Sequence, residues 1–177
     1  VEKLSELSLV MKHARRYGTC PKIGIRAKLS TRGAGRWEGS GGFRSKFGLF
    51  MSEVLHAVDL LRAEGLLDRL HLVHCPIGSQ VNDIRSLRSA MNELARVYTE
   101  LYKLGTGLDT LDVGGGLGVD YDGSRTNWES SVNYTLTEYA SDVVSRVKSI
   151  CDDADVDDWD SCGTCVDTDG DVCLVGC

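Results

Sequence analysis

The sequence has no apolar run close to the roughly 20 residues that a membrane-spanning helix needs. It also lacks a charged segment followed by an apolar one, the pattern typical of a signal peptide. Its seven cysteines are an odd number for a disulfide framework, which argues against a secreted scaffold and favours a reducing compartment. We therefore expect no membrane partner. With 177 residues and 42% hydrophobic content, the chain is long enough to bury a core.

Basic residues are absent from residues 151–177, which carry nine aspartates. Because the whole chain has a formal charge of −6, residues 1–150 carry a net charge of +3. Low hydrophobicity with unopposed charge is typical of disorder. We therefore predict a folded domain over residues 1–150, followed by an acidic, cysteine-rich tail that is unstructured.

The tail leaves a metal-binding alternative open. Asp167–Asp171 resembles the start of a calcium loop, but the closing glutamate is missing. Zinc would need the four cysteines of the tail, whose two pairs are separated by seven residues, fewer than is usual in zinc ribbons. These cysteines are Cys162, Cys165, Cys173 and Cys177. The composition favours an unstructured tail over this metal module.

Four segments with helical spacing of apolar residues alternate with short apolar runs. The predicted helices cover residues 2–17, 52–64, 83–102 and 132–150, and the predicted strands cover residues 22–28, 70–75 and 108–113. This alternation predicts an α/β fold of parallel βαβ units. Three strands cannot close a barrel of eight, so the chain forms either a small open sheet or a slice of something larger.

Two glycine-rich segments are candidates for function. Residues 30–45 are too long for an ordinary connection, and Arg32, Arg36 and Trp37 there would contact a ligand carboxylate or a neighbouring subunit, although a mobile surface loop is the default. The run Gly114–Gly116 would bind a phosphate through its amides, and a flexible loop is an equal alternative on glycine content alone. Its position directly after a strand favours the ligand site.

Three phrases of the sequence, in this order, resemble the biosynthetic arginine decarboxylases of bacteria and plants. The first joins Gly24–Leu29 through the long loop to Ser45–Leu49, the second is His74 with Ile77–Gln80, and the third is Asp112–Ser124. The resemblance covers about residues 1–150. It implies about three strand/helix units of a TIM-type (β/α)8 barrel, the alanine-racemase-like class.

The resemblance also implies chemistry and site residues. The activity would be decarboxylation of L-arginine to agmatine in polyamine synthesis, with pyridoxal 5′-phosphate as an electron sink and Mg²⁺ as a further cofactor. Cofactor contacts would come from His74, Gly78, Ser79, Gly114, Gly115 and Gly116. Substrate contacts would come from Asp112, Leu117, Gly118, Val119, Asp120 and Tyr121. The resemblance further implies a homo-oligomer in the cytoplasm or a plastid, with no nucleic-acid partner.

One departure from the family concerns the residue whose ring stacks on the cofactor. The family usually has a histidine directly before the Ile-Gly-Ser turn, where this chain has Pro76. His74 lies two residues earlier, on the same face of the strand but displaced by about 6–7 Å. We interpret His74 as a strand histidine satisfied by its neighbours rather than as a substitute for the missing ring.

The second departure is one of extent. The Schiff-base lysine of the family lies on an earlier strand, and the glutamate on the pyridine nitrogen lies beyond residue 150, so neither is expected in this chain. Lys28 and Lys46 are more consistent with ordinary solvated lysines. This chain alone is therefore expected to be inactive. Two alternatives stay open: a non-catalytic or metal-binding remnant, and a decarboxylase for another basic amino acid.

Overall fold

The computed structural model describes residues 1–30, 46–114 and 116–156, together with the backbone of 163–166 and 172–175. Its helices are α1 (Leu4–Tyr17), α2 (Met51–Ala63), α3 (Ile84–Lys103) and α4 (Leu136–Asp153). Its strands are β1 (Ile23–Arg26), β2 (Leu70–His74), β3 (Thr110–Asp112), β4 (Gly163–Val166) and β5 (Val172–Val175). A 3-10 turn, Leu67–Arg69, precedes β2. None of the described helices is long and apolar enough to cross a membrane.

The first three strands form the parallel sheet that the alternating pattern predicts. β2 lies between β1 and β3, and Val73 pairs with Ile25 on one side and with Leu111 on the other. All three side chains are fully buried. Parallel neighbours need a long crossover, and α2 and α3 supply it. The prediction of three adjacent parallel strands is confirmed.

Helix α3 illustrates how the sequence pattern builds the core. Asp83 caps its first turn by accepting a hydrogen bond from the Arg85 amide at 3.0 Å. Its buried positions recur every three or four residues, which places them on one face. These positions include Leu87, Met91, Leu94, Tyr98 and Leu101. The predicted bounds, 83–102, agree with the structure to within one residue.

The start of α4 differs from the prediction by four residues. We expected the helix from residue 132, but it begins at Leu136, after a capping box formed by Thr135 and Glu138. The segment before it serves another purpose, because the Asn133 side chain accepts from the Ile84 amide at 3.0 Å. Val132 was therefore wrongly assigned to the helix.

The end of the domain also differs from the predicted bounds. Helix α4 continues to Asp153, so the boundary at residue 150 falls inside it. Within the predicted tail, β5 pairs antiparallel with β3, and β4 pairs antiparallel with β5. These two short strands lie within the segment predicted to be unstructured, and the expectation for the tail stays a prediction.

Several predicted features lie outside the described residues. These are Arg32, Arg36 and Trp37 of the long loop, Gly115, the calcium-like segment 167–171, and Cys162 and Cys177 of the proposed zinc set. Cys165 and Cys173 lie in β4 and β5, where only the backbone is described. The described part of the chain contains no cluster of three or more potential metal ligands.

Candidate functional site

The carboxyl ends of the three parallel strands meet at one edge of the sheet. Arg26, His74 and Asp112 are the last residues of β1, β2 and β3, and they are aligned in register. Residues in register on neighbouring strands project to the same face, so these three side chains line one cavity of about 450 Å³. A cationic, an ionisable and an anionic group are thus brought together at the edge where parallel sheets bind ligands.

His74 and Asp112 are in direct contact within this cavity. Nδ1 of His74 lies 2.9 Å from Oδ2 of Asp112, an ion-pair distance, although the ring N–H is not aligned for a hydrogen bond. The other carboxylate oxygen of Asp112 accepts a hydrogen bond from the Gly114 amide at 2.8 Å. The interpretation of His74 as a strand histidine with a neighbouring partner is consistent with this contact.

The surroundings of Asp112 favour its charged form. Burial by itself would raise the pKa of this carboxyl, because desolvation penalises the charge. The contacts with His74 and the Gly114 amide lower the pKa, with a further contribution from the charge of Arg26. The balance leaves the pKa of Asp112 below its ordinary value, so the carboxylate is ionised at neutral pH.

Val1 and Glu2 line the cavity beside β1. The Val1 nitrogen donates to the Gly24 carbonyl at 2.7 Å, and the Arg26 amide donates to the Val1 carbonyl at 2.9 Å. Glu2 then holds the Arg26 guanidinium at 2.6 Å. Nε of Arg26 is buried and meets no acceptor among the described residues, so the wall retains one donor without a partner.

The turns that follow β2 and β3 lie against each other. The Val81 amide donates to the Gly116 carbonyl at 2.9 Å. A Cβ added to Gly116 would overlap the carbonyl of Gly78, and one added to Gly114 would lie 3.2 Å from Cα of Pro76. Gly114 and Gly116 also have positive φ angles, +68° and +101°. The approach of the two backbones therefore requires a glycine at Gly116, whereas Gly114 is favoured by its positive φ and its tight surroundings.

The two touching turns carry donors that have no partner among the described residues. Ser79 is exposed, and in the described part of the chain neither its hydroxyl nor its amide is assigned a partner. The same holds for the amide of Gly116 among the described residues. Gly78 adopts φ +135° immediately before Ser79, a conformation that L side chains rarely adopt. Amides and a hydroxyl without internal partners are the groups that bind an anion.

The segment after the glycine turn is fixed to the turn after β2 by side chains. The Gln80 amide group donates to the Val119 carbonyl at 2.7 Å and accepts from the Val119 amide at 2.9 Å. Tyr134 accepts from the Gly118 amide at 3.0 Å and donates to the Val81 carbonyl. These four hydrogen bonds therefore tie the two turns together.

The predicted substrate residues do not all come together. Asp112 lines the strand-end cavity, whereas Asp120 accepts a hydrogen bond from the buried Ser131 hydroxyl at 2.6 Å. Val119 and Tyr121 are exposed, and Leu117 and Gly118 are partly buried between the turns.

The two candidate lysines have aromatic partners. Nζ of Lys28 lies 3.8 Å from the Phe50 ring centre, and that of Lys46 lies 5.2 Å from the Phe47 ring centre. Neither contact by itself marks a Schiff-base lysine.

Sequence reasoning missed three residues that shape the site. Arg26, Gln80 and Tyr134 line the cavity or tie the turns together, yet none was predicted to have a role. Gln80 directly follows the Gly-Ser turn, which was the signal available for it. The position of Arg26 depends on strand pairing with His74, and that of Tyr134 on a hydrogen bond to Val81, 53 residues away in the sequence. No local sequence pattern predicts either contact.

Comparison with known proteins assigns the class. Residues 1–159 match the family model of the pyridoxal-dependent decarboxylases, pyridoxal binding domain. The chain therefore belongs to the pyridoxal-dependent decarboxylase family, as the three phrases of the sequence predict.

The similar proteins have a more specific name than the family model. The chain is 54% identical over 156 residues to the biosynthetic arginine decarboxylase of Rhodopirellula baltica, and 51% identical over 156 residues to that of Citrifermentans bemidjiense. These matches cover 88% of this chain but 23% and 25% of the relatives. The chain thus spans about a quarter of the length of these relatives.

Solved structures agree on the fold. The biosynthetic arginine decarboxylase of Campylobacter jejuni superposes with a TM-score of 0.71 at 34% identity, covering 88% of this chain and 24% of that one. A diaminopimelate decarboxylase variant of Helicobacter pylori, complexed with L-lysine, gives 0.71 at 28% identity, covering 84% and 36%. The fold is confirmed as part of the barrel that these enzymes share.

Proposed function

We propose that this chain forms the phosphate-binding side of a pyridoxal 5′-phosphate site in an arginine decarboxylase. The observation that carries the proposal is the contact between two glycine turns at adjacent strand ends, with donors on both that have no partner among the described residues. A phosphate needs several converging N–H and O–H groups, and such turns supply them without side chains in the way. The names of the relatives support L-arginine as the substrate.

The residues of the chain fit the phosphate of the cofactor. Ser79 would hold it through its hydroxyl and amide, with Gly78, Gly114, Gly115 and Gly116 forming the cradle. The cofactor, once bound, supplies an electron sink for the charge left when carbon dioxide departs. The contribution of this chain is to bind and orient the phosphate.

Pro76 changes the support for the cofactor ring. A proline has no planar ring to stack, and its Cα packs against Gly114. His74 remains beside Asp112 at 2.9 Å, two residues before the turn. We therefore infer that His74 contacts the cofactor region from the strand-end cavity, and that affinity rests on the phosphate cradle.

Binding of pyridoxal 5′-phosphate to the whole chain, measured by calorimetry, tests the proposal. Ser79→Ala should weaken binding about 10-fold, because a hydrogen bond to a charged group is lost. Ser141→Ala, at an exposed position of α4, is the matched control and should leave binding unchanged. Absence of binding by the natural chain, or equal affinity of the two variants, would contradict the proposal.

Other properties stay proposals that rest on the resemblance. They are Mg²⁺ as a further cofactor, a homo-oligomer, a cytoplasmic or plastid location, and the absence of a nucleic-acid partner. A relative complexed with L-lysine keeps another basic amino acid open as a substrate class. The remaining catalytic groups are expected outside this chain.

A further inference from the structure

Asp112 occupies a junction between the sheet and the glycine turn. One of its oxygens lies 2.9 Å from the His74 ring on β2, and the other accepts from the Gly114 amide at 2.8 Å. The ring of His74 in turn packs against the turn, since a Cβ on Gly114 would lie 3.2 Å from Cε1 of His74. Asp112, His74 and Gly114 thus form a closed set of contacts.

The position of the carboxylate makes these contacts strong. The Asp112 side chain is 18% exposed and that of His74 is 21% exposed, so water competes little for either. A charge-assisted hydrogen bond to a backbone amide is about twice as strong as a neutral one. Arg26 and Glu2 also line the cavity, and they pair with each other at 2.6 Å.

We propose that Asp112 is a positioning residue, which sets the first step of the glycine turn by holding the Gly114 amide and anchors His74 against the same turn. This inference rests on the proposed phosphate cradle. Gly114 begins the turn at φ +68°, and Gly116 follows with its carbonyl bound to the Val81 amide. Release of the Gly114 amide would free the segment whose donors meet the phosphate.

The chain offers a matched control for the test. Asp109, directly before β3, and His71 on β2 form another carboxylate–imidazole contact, in which Nδ1 and Oδ2 are 2.8 Å apart and hydrogen-bonded. That pair lies at the opposite end of the strands from Asp112, away from the glycine turn. Asp109→Ala therefore removes a comparable carboxylate–imidazole contact without touching the turn.

The experiment measures calorimetric affinity for inorganic phosphate and for pyridoxal 5′-phosphate, using the whole chain. Asp112→Ala should weaken both by at least about 10-fold, whereas Asp109→Ala should not change them. Asp112→Asn keeps an oxygen acceptor for the Gly114 amide, and it should stay within about threefold of the natural chain. The inference would be overturned if Asp112→Asn bound the two probes as weakly as Asp112→Ala, or if Asp112→Ala and Asp109→Ala bound them with equal affinity.

Hydrogen exchange separates failure of this inference from failure of the proposed function. In Asp112→Ala the Gly114 amide loses its acceptor, so it should exchange at least about 10-fold faster relative to the Leu94 amide in α3. Asp109→Ala should leave that ratio unchanged. If the natural chain binds neither probe, the phosphate cradle is refuted, and the Gly114 ratio alone then decides whether Asp112 holds the turn.

Discussion

Substitution of Gly116 by alanine tests whether contact between the two turns requires the glycine. Gly116 has φ +101°, and a Cβ added to it would overlap the Gly78 carbonyl group, since it would lie 2.9 Å from the carbonyl carbon. Left-handed backbone costs an ordinary residue about 1–2 kcal/mol. Overpacking against a backbone that cannot move aside adds about 1–3 kcal/mol. We therefore expect Gly116→Ala to lower the free energy of unfolding by about 3 kcal/mol.

Gly123→Ala provides the control, because at this position the backbone strain is present without the overpacking. Gly123 has φ +72°, but no atom lies within 4 Å of its added Cβ. Only backbone strain remains, and the expected loss is about 1 kcal/mol. The assay is urea unfolding followed by circular dichroism, in which a difference of about 2 kcal/mol shifts the midpoint by about 1 M. If the two variants unfold within about 0.5 kcal/mol of each other, the contact does not require glycine at Gly116.

Three further predictions concern the same region. Tyr134→Phe removes the hydroxyl that bridges Gly118 and Val81, and urea unfolding should show a loss of about 1–3 kcal/mol; no loss would refute the bridge. The folded-state pKa of Asp112 is lowered, so the stabilisation by its carboxylate is present above the unfolded pKa of about 3.9 and is lost as pH falls through the folded pKa. Between pH 6 and pH 2 the free energy of unfolding should therefore fall less steeply in Asp112→Asn than in the natural chain. Equal slopes would refute the pKa shift. Incubation of the whole chain with pyridoxal 5′-phosphate and L-arginine should yield no agmatine by chromatography, whereas turnover would show that the catalytic lysine lies within it.

Local patterns predicted most of the helices and strands of the main body. The spacing of Leu87, Met91 and Leu94 predicted α3 to within one residue, because one face of a helix must be apolar to pack on a sheet. The start of α4 was wrong because side-chain bonds between distant turns, such as that from Ile84 to Asn133, compete with helix formation. No spacing rule contains that information.

The candidate site, too, could be predicted from the sequence only in part. The run Gly114–Gly116 was proposed from its local composition, because a turn that meets an anion leaves a signature of small residues. Ser79 was proposed from the family resemblance, and both stay predictions. The alignment of Arg26, His74 and Asp112 depends on the register of three strands, which are separated by more than thirty residues of helix and turn. Sequence alone does not report which residues lie side by side across such a sheet.

The sequence by itself thus determined the family and the alternation of strands and helices, and it led to the proposal of a phosphate cradle. Tertiary structure decided two further points: that Gly116 is glycine because the Gly78 carbonyl occupies the place of its side chain, and that Asp112 joins His74 to the turn. The physical reason is that periodicity and turn chemistry are local properties, whereas contact between two turns arises only after the strands pair.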